Sequence, residues 1–311
     1  MPPADDFNPT PGRPEPMGQA IRRILAPNPS AMTYRGTNTY LIGETDLVVI
    51  DPGPDDERHL EAILAALHPG QRIRHILVTH AHIDHSPLAP RLAARTQAPV
   101  YAYGDATAGR SAVMHQLHLS GGAQGGEGVD TGFVPDITLT DGQTLSGPDW
   151  QLTAHWTPGH FGNHMCFAMN DGGNDTVFTG DLVMGWASSL VSPPDGDLTD
   201  FMASCRKMQR LEAAVFHPGH GAPVTDPAER LNWLINHRLS REAAILAQLN
   251  AGPATAAQLA TAIYTDTPRV LLPAATRNVL AHLIDLHGKN LICTDQAISA
   301  HAQFSLNPAQ V

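Results

Sequence analysis

The sequence predicts an α+β protein: a four-layer αβ/βα sandwich of two mixed sheets with helices outside, followed by a smaller, mostly helical module. Three observations lead there. Strand-like segments come in two runs, over residues 20–103 and 137–179, with segments of helical spacing between and after them. Several of these strands end in short loops that carry histidine or aspartate. From residue 227 the pattern turns almost wholly helical.

Taken in order, residues 1–19 are rich in proline and acid and lack an apolar core, so they read as a flexible leader. They resemble neither a secretory signal nor an Arg-rich transit peptide. Residues 20–25 alternate like a half-buried strand, and residues 39–42 and 46–50 read as a hairpin around Gly43-Glu44-Thr45. Asp51 follows, at a sharp turn, and reads as a turn residue or one that supports a ligand from behind rather than as a ligand. Leu60, Ile63, Leu64 and Leu67 recur at helical spacing until Pro69-Gly70 stops them. Residues 74–79 form the next strand, 87–96 a helix and 99–103 a strand. Residues 104–132 are a glycine-rich excursion with a short helix at 112–119, of the kind that rims an active site; His115 and His118 read as rim or packing residues. Strands are expected at 137–139, 143–145, 151–156, 164–169 and 176–179, with Asp141-Gly142 and Asp171-Gly172-Gly173 as hairpin turns. A helix at 197–213 and a strand at 214–216 complete a catalytic domain expected to span 20–226. Helices at 230–249, 255–262 and 274–286 and a hairpin from 290–293 to 301–304 suggest a winged-helix-like module over 227–311.

The chemistry concentrates in Thr79-His80-Ala81-His82-Ile83-Asp84-His85, which follows the apolar run Ile76-Leu77-Val78. Four good metal ligands lie within six positions: His80, His82, Asp84 and His85. The chain has 17 histidines, so one histidine-rich loop could arise by chance. Three more loops make that reading untenable: Thr157-Pro158-Gly159-His160, Thr179-Gly180-Asp181 and His217-Pro218-Gly219-His220-Gly221. Adding His160, Asp181 and His220 gives seven ligands, enough for two metals that share one carboxylate. Imidazole with carboxylate suits zinc, with iron or manganese as alternatives.

The HxHxDH element followed by TPGH, TGD and PGHG in that order resembles the metallo-β-lactamase superfamily. Within it the chain is similar to the family of beta-lactamase-like protein 2, a likeness that includes Gly36-Thr37-Asn38-Thr39-Tyr40-Leu41 and Ile263-Tyr264-Thr265-Asp266. The resemblance covers about residues 20–300. It implies that His80, His82 and His160 hold one zinc, that Asp84, His85 and His220 hold a second, and that Asp181 bridges them. It further implies a metal-bridging hydroxide as nucleophile, with Asp84 also able to move a proton. His164, His217 and Trp186 sit beside these loops and are candidates for contact with substrate or with the ligands from behind. The superfamily includes lactamases, thioesterases, lactonases, nucleases and oxidoreductases, so the substrate does not follow from the fold.

Composition narrows the choice. A net charge of −11, with Lys207 and Lys289 the only lysines, repels phosphate backbones. The expected hairpin stretch 294–300 has no arginine or lysine, which favours a packing or dimerisation role for the module. No apolar run approaches the length of a bilayer span. Three scattered cysteines argue against a disulfide framework and for a reducing, cytoplasmic location. The expectation is a hydrolase of a small ester, thioester or lactone, as a monomer or homodimer. The alternatives are a single-strand-specific endoribonuclease, an activity of the resembling family, and an iron-dependent oxidoreductase.

Overall fold

The computed structural model describes residues 6–18, 20–169 and 175–308. Among these residues the first sheet has seven strands, in spatial and chain order: β1 (Pro14–Pro16), β2 (Ile21–Leu25), β3 (Asn38–Ile42), β4 (Asp46–Ile50), β5 (Arg72–Leu77), β6 (Val100–Ala102) and β7 (Ile137–Thr138). The second has five: β8 (Thr144–Ser146), β9 (Gln151–Trp156), β10 (Met165–Met169), β11 (Thr176–Gly180) and β12 (Val215–Pro218). Their facing sides share one apolar layer, in which Ile42, Ile50 and Leu77 meet Leu152, Phe167 and Phe178.

The outer face of the first sheet is covered by α1 (Glu57–Ala65) and α2 (Ala89–Thr96), through Leu60, Ile63 and Leu92. The outer face of the second is covered by α4 (Leu198–Gln209) and α5 (Pro227–Leu249), through Phe201, Cys205, Leu231 and Leu234. Each of these sheet-covering helices except α2 starts at an aspartate whose side chain accepts from backbone N–H groups: Asp56, Asp197 and Asp226. Such caps contribute about 1 kcal/mol apiece. The result is the expected αβ/βα sandwich.

The helix α3 (Ala112–Leu119) of the glycine-rich excursion buries Met114 and Leu117 in the C-terminal module. That module continues from α5 through β13 (Ala254–Thr255), α6 (Ala256–Ile263), a 3-10 turn (Arg269–Leu271), α7 (Leu272–Gly288), β14 (Ile292–Cys293) and β15 (Gln303–Leu306). The expected hairpin is present two residues further on, and β13 adds a third strand to it.

One expectation fails. Residues 6–18 are not loosely packed: Phe7 is buried, and β1 pairs antiparallel with β2 in the register Pro14↔Ile24. Two prolines in a strand are tolerated there because β1 is an edge. The turn expected at Asp171-Gly172-Gly173 and the first five residues lie outside the described residues. Among the described residues no helix is long and apolar enough to cross a membrane.

The strands β5, β11 and β12, and the C-terminal end of β9, release their loops at one edge of the sandwich. The stretch Thr37–Asn38 holds the last of these loops in place. Asn38 Nδ2 donates to the carbonyls of Pro218 (3.0 Å) and Gly221 (2.9 Å), and the Tyr40 hydroxyl donates to Pro218 O at 2.7 Å.

Candidate metal centre

Among the described residues seven side chains converge at that edge in two sets of three, His80-His82-His160 and Asp84-His85-His220, with His80, His85 and Asp181 forming a third group that links them. In the first, His80 Nε2 lies 2.8 Å and His160 Nε2 lies 3.1 Å from His82 Nδ1. In the second, Asp84 Oδ2 lies 3.1 Å from His220 Nε2 and 3.5 Å from His85 Nε2, and the two imidazole nitrogens are 3.3 Å apart. Asp181 sits between the sets. Its Oδ2 is 3.3 Å from His220 Nε2 and 3.7 Å from His160 Nε2, and its Oδ1 is 3.5 Å from His85 Nε2.

The nitrogens that turn away from the centre reveal what the inward ones are for. His160 Nδ1 donates to Leu190 O at 2.7 Å, His220 Nδ1 to Gly36 O at 3.1 Å and His85 Nδ1 to Asp51 Oδ2 at 2.8 Å. The Thr79 hydroxyl donates to Asp51 Oδ2 (2.8 Å), so it accepts from His80 Nδ1 (2.9 Å). Four imidazoles therefore have Nδ1 committed as a donor, and each aims Nε2 inward as the position that takes a proton or a metal. Three ring nitrogens with at most one hydrogen among them meet in the first set, a donor arrangement that fits a cation. Among the described residues the buried Asp181 Oδ1 has no hydrogen-bond partner, which fits a carboxylate oxygen open to a metal. The residues present thus match the nitrogen and oxygen donors that zinc takes.

The electrostatics of the metal-free chain divide the two sets. Burial, then neighbouring imidazoles, push His80 well below its ordinary range, and burial with His160 pushes His82 down to about 3. Burial likewise lowers His160. His220 goes the other way: burial opposes its charge, but Asp181 and Asp84 push it up to about 9. His85 is held well above its ordinary range by Asp84, Asp181 and Asp51 against burial. Asp181 and Asp84 would be raised by burial, yet His220 and His85 hold both far below the usual carboxylate range. Burial thus favours neutral imidazoles in the first set, whereas the neighbouring carboxylates favour charged ones in the second.

Asp51 supports both sets from behind. Besides its bonds to His85 and the Thr79 hydroxyl, its Oδ1 accepts from Thr79 N at 2.7 Å, and its backbone φ of 50° is left-handed. His164 also lies behind the candidate centre: its Nε2 accepts from Asp181 N at 3.2 Å, and its Nδ1 donates to Thr157 Oγ1 at 3.0 Å. Trp186 lies in the loop after Asp181, beside Gly221, and stacks on Tyr34 with 5.0 Å between ring centroids. His217 stands apart. It packs between Tyr40 (5.5 Å) and Phe178 (5.4 Å) in the layer between the sheets, where burial pushes it down to about 4.

Three supports escape sequence reading. Thr79 links Asp51 to His80. Asn163 accepts from Ala81 N at 3.2 Å and donates to Gly104 O at 3.1 Å, tying the first ligand loop to the end of β6. Gly219 leaves room for the centre, since a Cβ there would lie 2.4 Å from Asp181 Oδ1. For Gly219 the available signal is its place between His217 and His220. The excursion also meets the ligand loop: Ile83 N donates to Gly128 O at 2.9 Å and Asp130 N to Ala81 O at 2.9 Å.

Comparison with known proteins agrees with this geometry. Residues 32–220 match the metallo-beta-lactamase superfamily, and residues 255–295 match the beta-lactamase associated winged helix domain. The chain is 32% identical over 278 residues to the beta-lactamase-like protein 2 homolog of Drosophila melanogaster, covering 86% of this chain and 87% of that one. It is 31% identical over 263 residues to an atrochrysone carboxyl ACP thioesterase of Aspergillus fumigatus, covering 80% of this chain and 74% of that one. The fold is shared with a metallo-beta-lactamase family protein of Thermus thermophilus, at a TM-score of 0.74 and 24% identity over 94% of this chain and all of that one. It is shared too with a beta-lactamase domain protein of Burkholderia ambifaria, at a TM-score of 0.77 and 18% identity over 97% of this chain and 95% of that one. By both sequence and fold, the chain belongs to the metallo-beta-lactamase superfamily.

Proposed function

We propose that this metal-dependent hydrolase works with two metals, most simply zinc, on a small ester, thioester or lactone. His80, His82 and His160 hold the first metal, Asp84, His85 and His220 the second, and Asp181 serves both. The observation that carries the proposal is the set of four imidazoles whose Nδ1 atoms are tied back by oxygen acceptors, so that every Nε2 points to the centre. When bound, a metal pair of this kind supplies activated water at neutral pH and polarises the oxygen of the bond to be broken.

The chain's own residues do the rest. Asp51, Thr79, Leu190 O and Gly36 O hold the imidazoles in one tautomer and one orientation, so little reorganisation is needed on binding. Asp84, whose side chain is 20% exposed, is the carboxylate of the centre best able to exchange a proton with a bound substrate. Trp186 and Tyr34 offer an aromatic wall next to the His220 loop, suited to an apolar acyl group. The acidic surface and the fungal thioesterase relative support an acyl substrate over RNA.

The division into a catalytic domain over 20–226 and a structural module over 227–311 belongs to the same proposal, as does a reducing cytoplasm for the three free thiols. The test is a screen of zinc-loaded protein against acyl thioesters, esters, lactones and single-stranded RNA, each with and without a chelator. Chelator-sensitive acyl hydrolysis is expected. Cleavage of RNA with no acyl hydrolysis contradicts the proposal.

A further inference from the structure

The loop between Asp181 and α4 is held from outside the sandwich. Two arginines on α5, eight positions and roughly 12 Å apart along the helix, grip its carbonyls. Arg230 donates to Met184 O and Ala187 O, both at 2.7 Å, and Arg238 Nη2 donates to Ser188 O and Ser189 O, both at 2.7 Å. Arg238 is 2% exposed, lies over the Phe201 ring and has no carboxylate partner among the described residues. A guanidinium buried on carbonyls alone is costly, and such a group persists where it holds something. Asn278 on α7 closes the grip. Its Oδ1 accepts from Arg238 Nη1 at 3.1 Å and from Val191 N at 3.0 Å.

The residue between these anchors is Leu190, whose carbonyl accepts from His160 Nδ1. Its neighbour Ser189 has a φ of 62°, a left-handed conformation that a non-glycine residue keeps only where its surroundings enforce it. We infer that Arg238 and Asn278 are positioning residues for the first metal set: through Ser188, Ser189 and Val191 they fix Leu190 O, which fixes the tautomer and direction of His160. The C-terminal module therefore reaches into the centre without contributing a ligand. This rests on the reading that His80, His82 and His160 hold a metal.

The test is zinc affinity, measured by competition with a chromophoric chelator, in two single-set backgrounds of the full chain. His220→Ala leaves the first set and His160→Ala leaves the second. Arg238→Met and Asn278→Leu should weaken zinc about ten- to hundredfold in the first background, the usual range for a support behind a ligand, and leave the second unchanged. Asn278→Asp keeps the acceptor and should bind as the background does. Should Arg238→Met fail to fold, the two Asn278 variants decide. Equal weakening in both backgrounds, or none in either, overturns the inference. Absence of zinc uptake by the unaltered chain overturns the metal-centre reading and this inference with it.

Discussion

Metal uptake at the second set should expel protons, and uptake at the first should not. His220 rises to about 9 without metal, so at pH 7 it is largely protonated and must lose that proton before Nε2 can bind metal. Two units at about 1.4 kcal/mol each put the cost near 3 kcal/mol, a penalty of about a hundredfold on affinity at pH 7. His85 is raised as well and adds a second proton. The second affinity should therefore rise between tenfold and a hundredfold for each pH unit from 6 to 8, while the first, resting on imidazoles already neutral there, should stay nearly flat. Calorimetric titration with zinc in buffers of different ionisation enthalpy counts the protons directly. The expected count is close to none for the tighter event and one to two for the weaker. Two pH-independent events, or protons leaving with the tighter one, would refute the division of the site. The sign runs oppositely for the stability of the metal-free fold. A group raised in the folded state stabilises fully below its unfolded value near 6.5, and that contribution is lost as pH climbs through about 9.

Three further outcomes are expected. Asp181→Ala should lose at least one metal and nearly all activity while keeping its circular dichroism, because its oxygens lie within 4 Å of imidazole nitrogens of both sets; two metals in the variant by elemental analysis would contradict it. Asp51→Asn should weaken metal binding about ten- to hundredfold through loss of the charged partner of His85, read as zinc content after dialysis against a weak chelator. His217→Phe should keep both metals and near-normal turnover, since the ring packs between Tyr40 and Phe178; lost metal would return His217 to the centre.

The seven side chains of the candidate centre were legible because metal chemistry restricts residue types, and because each of their loops follows a strand whose apolar run marks its end. Asp51 was read as a turn residue or one behind a ligand; it has a left-handed backbone and its carboxylate accepts from His85 Nδ1. His217 was not separable from His220 by type or spacing. What divides them is position: His217 lies on β12 and packs in the layer between the sheets, whereas His220 lies in the loop beyond it, and a strand only four residues long gives little pattern to mark that boundary. The order of residues 6–18 was hidden because Pro14-Glu15-Pro16 lacks alternation, and it pairs only because an edge strand can spare donors. Arg238 was invisible for a different reason. Helical spacing assigns charged residues to the solvent side, and nothing local reveals a loop whose carbonyls need a buried cation.

The central claim is that hydrolysis depends on two metals held by these seven residues. The direct measurement is acyl-thioester turnover by protein stripped with a strong chelator and then titrated with zinc, with bound metal counted at each step. The account predicts no turnover without metal and full recovery as two zinc ions per chain are restored. Full turnover by the stripped protein would contradict it.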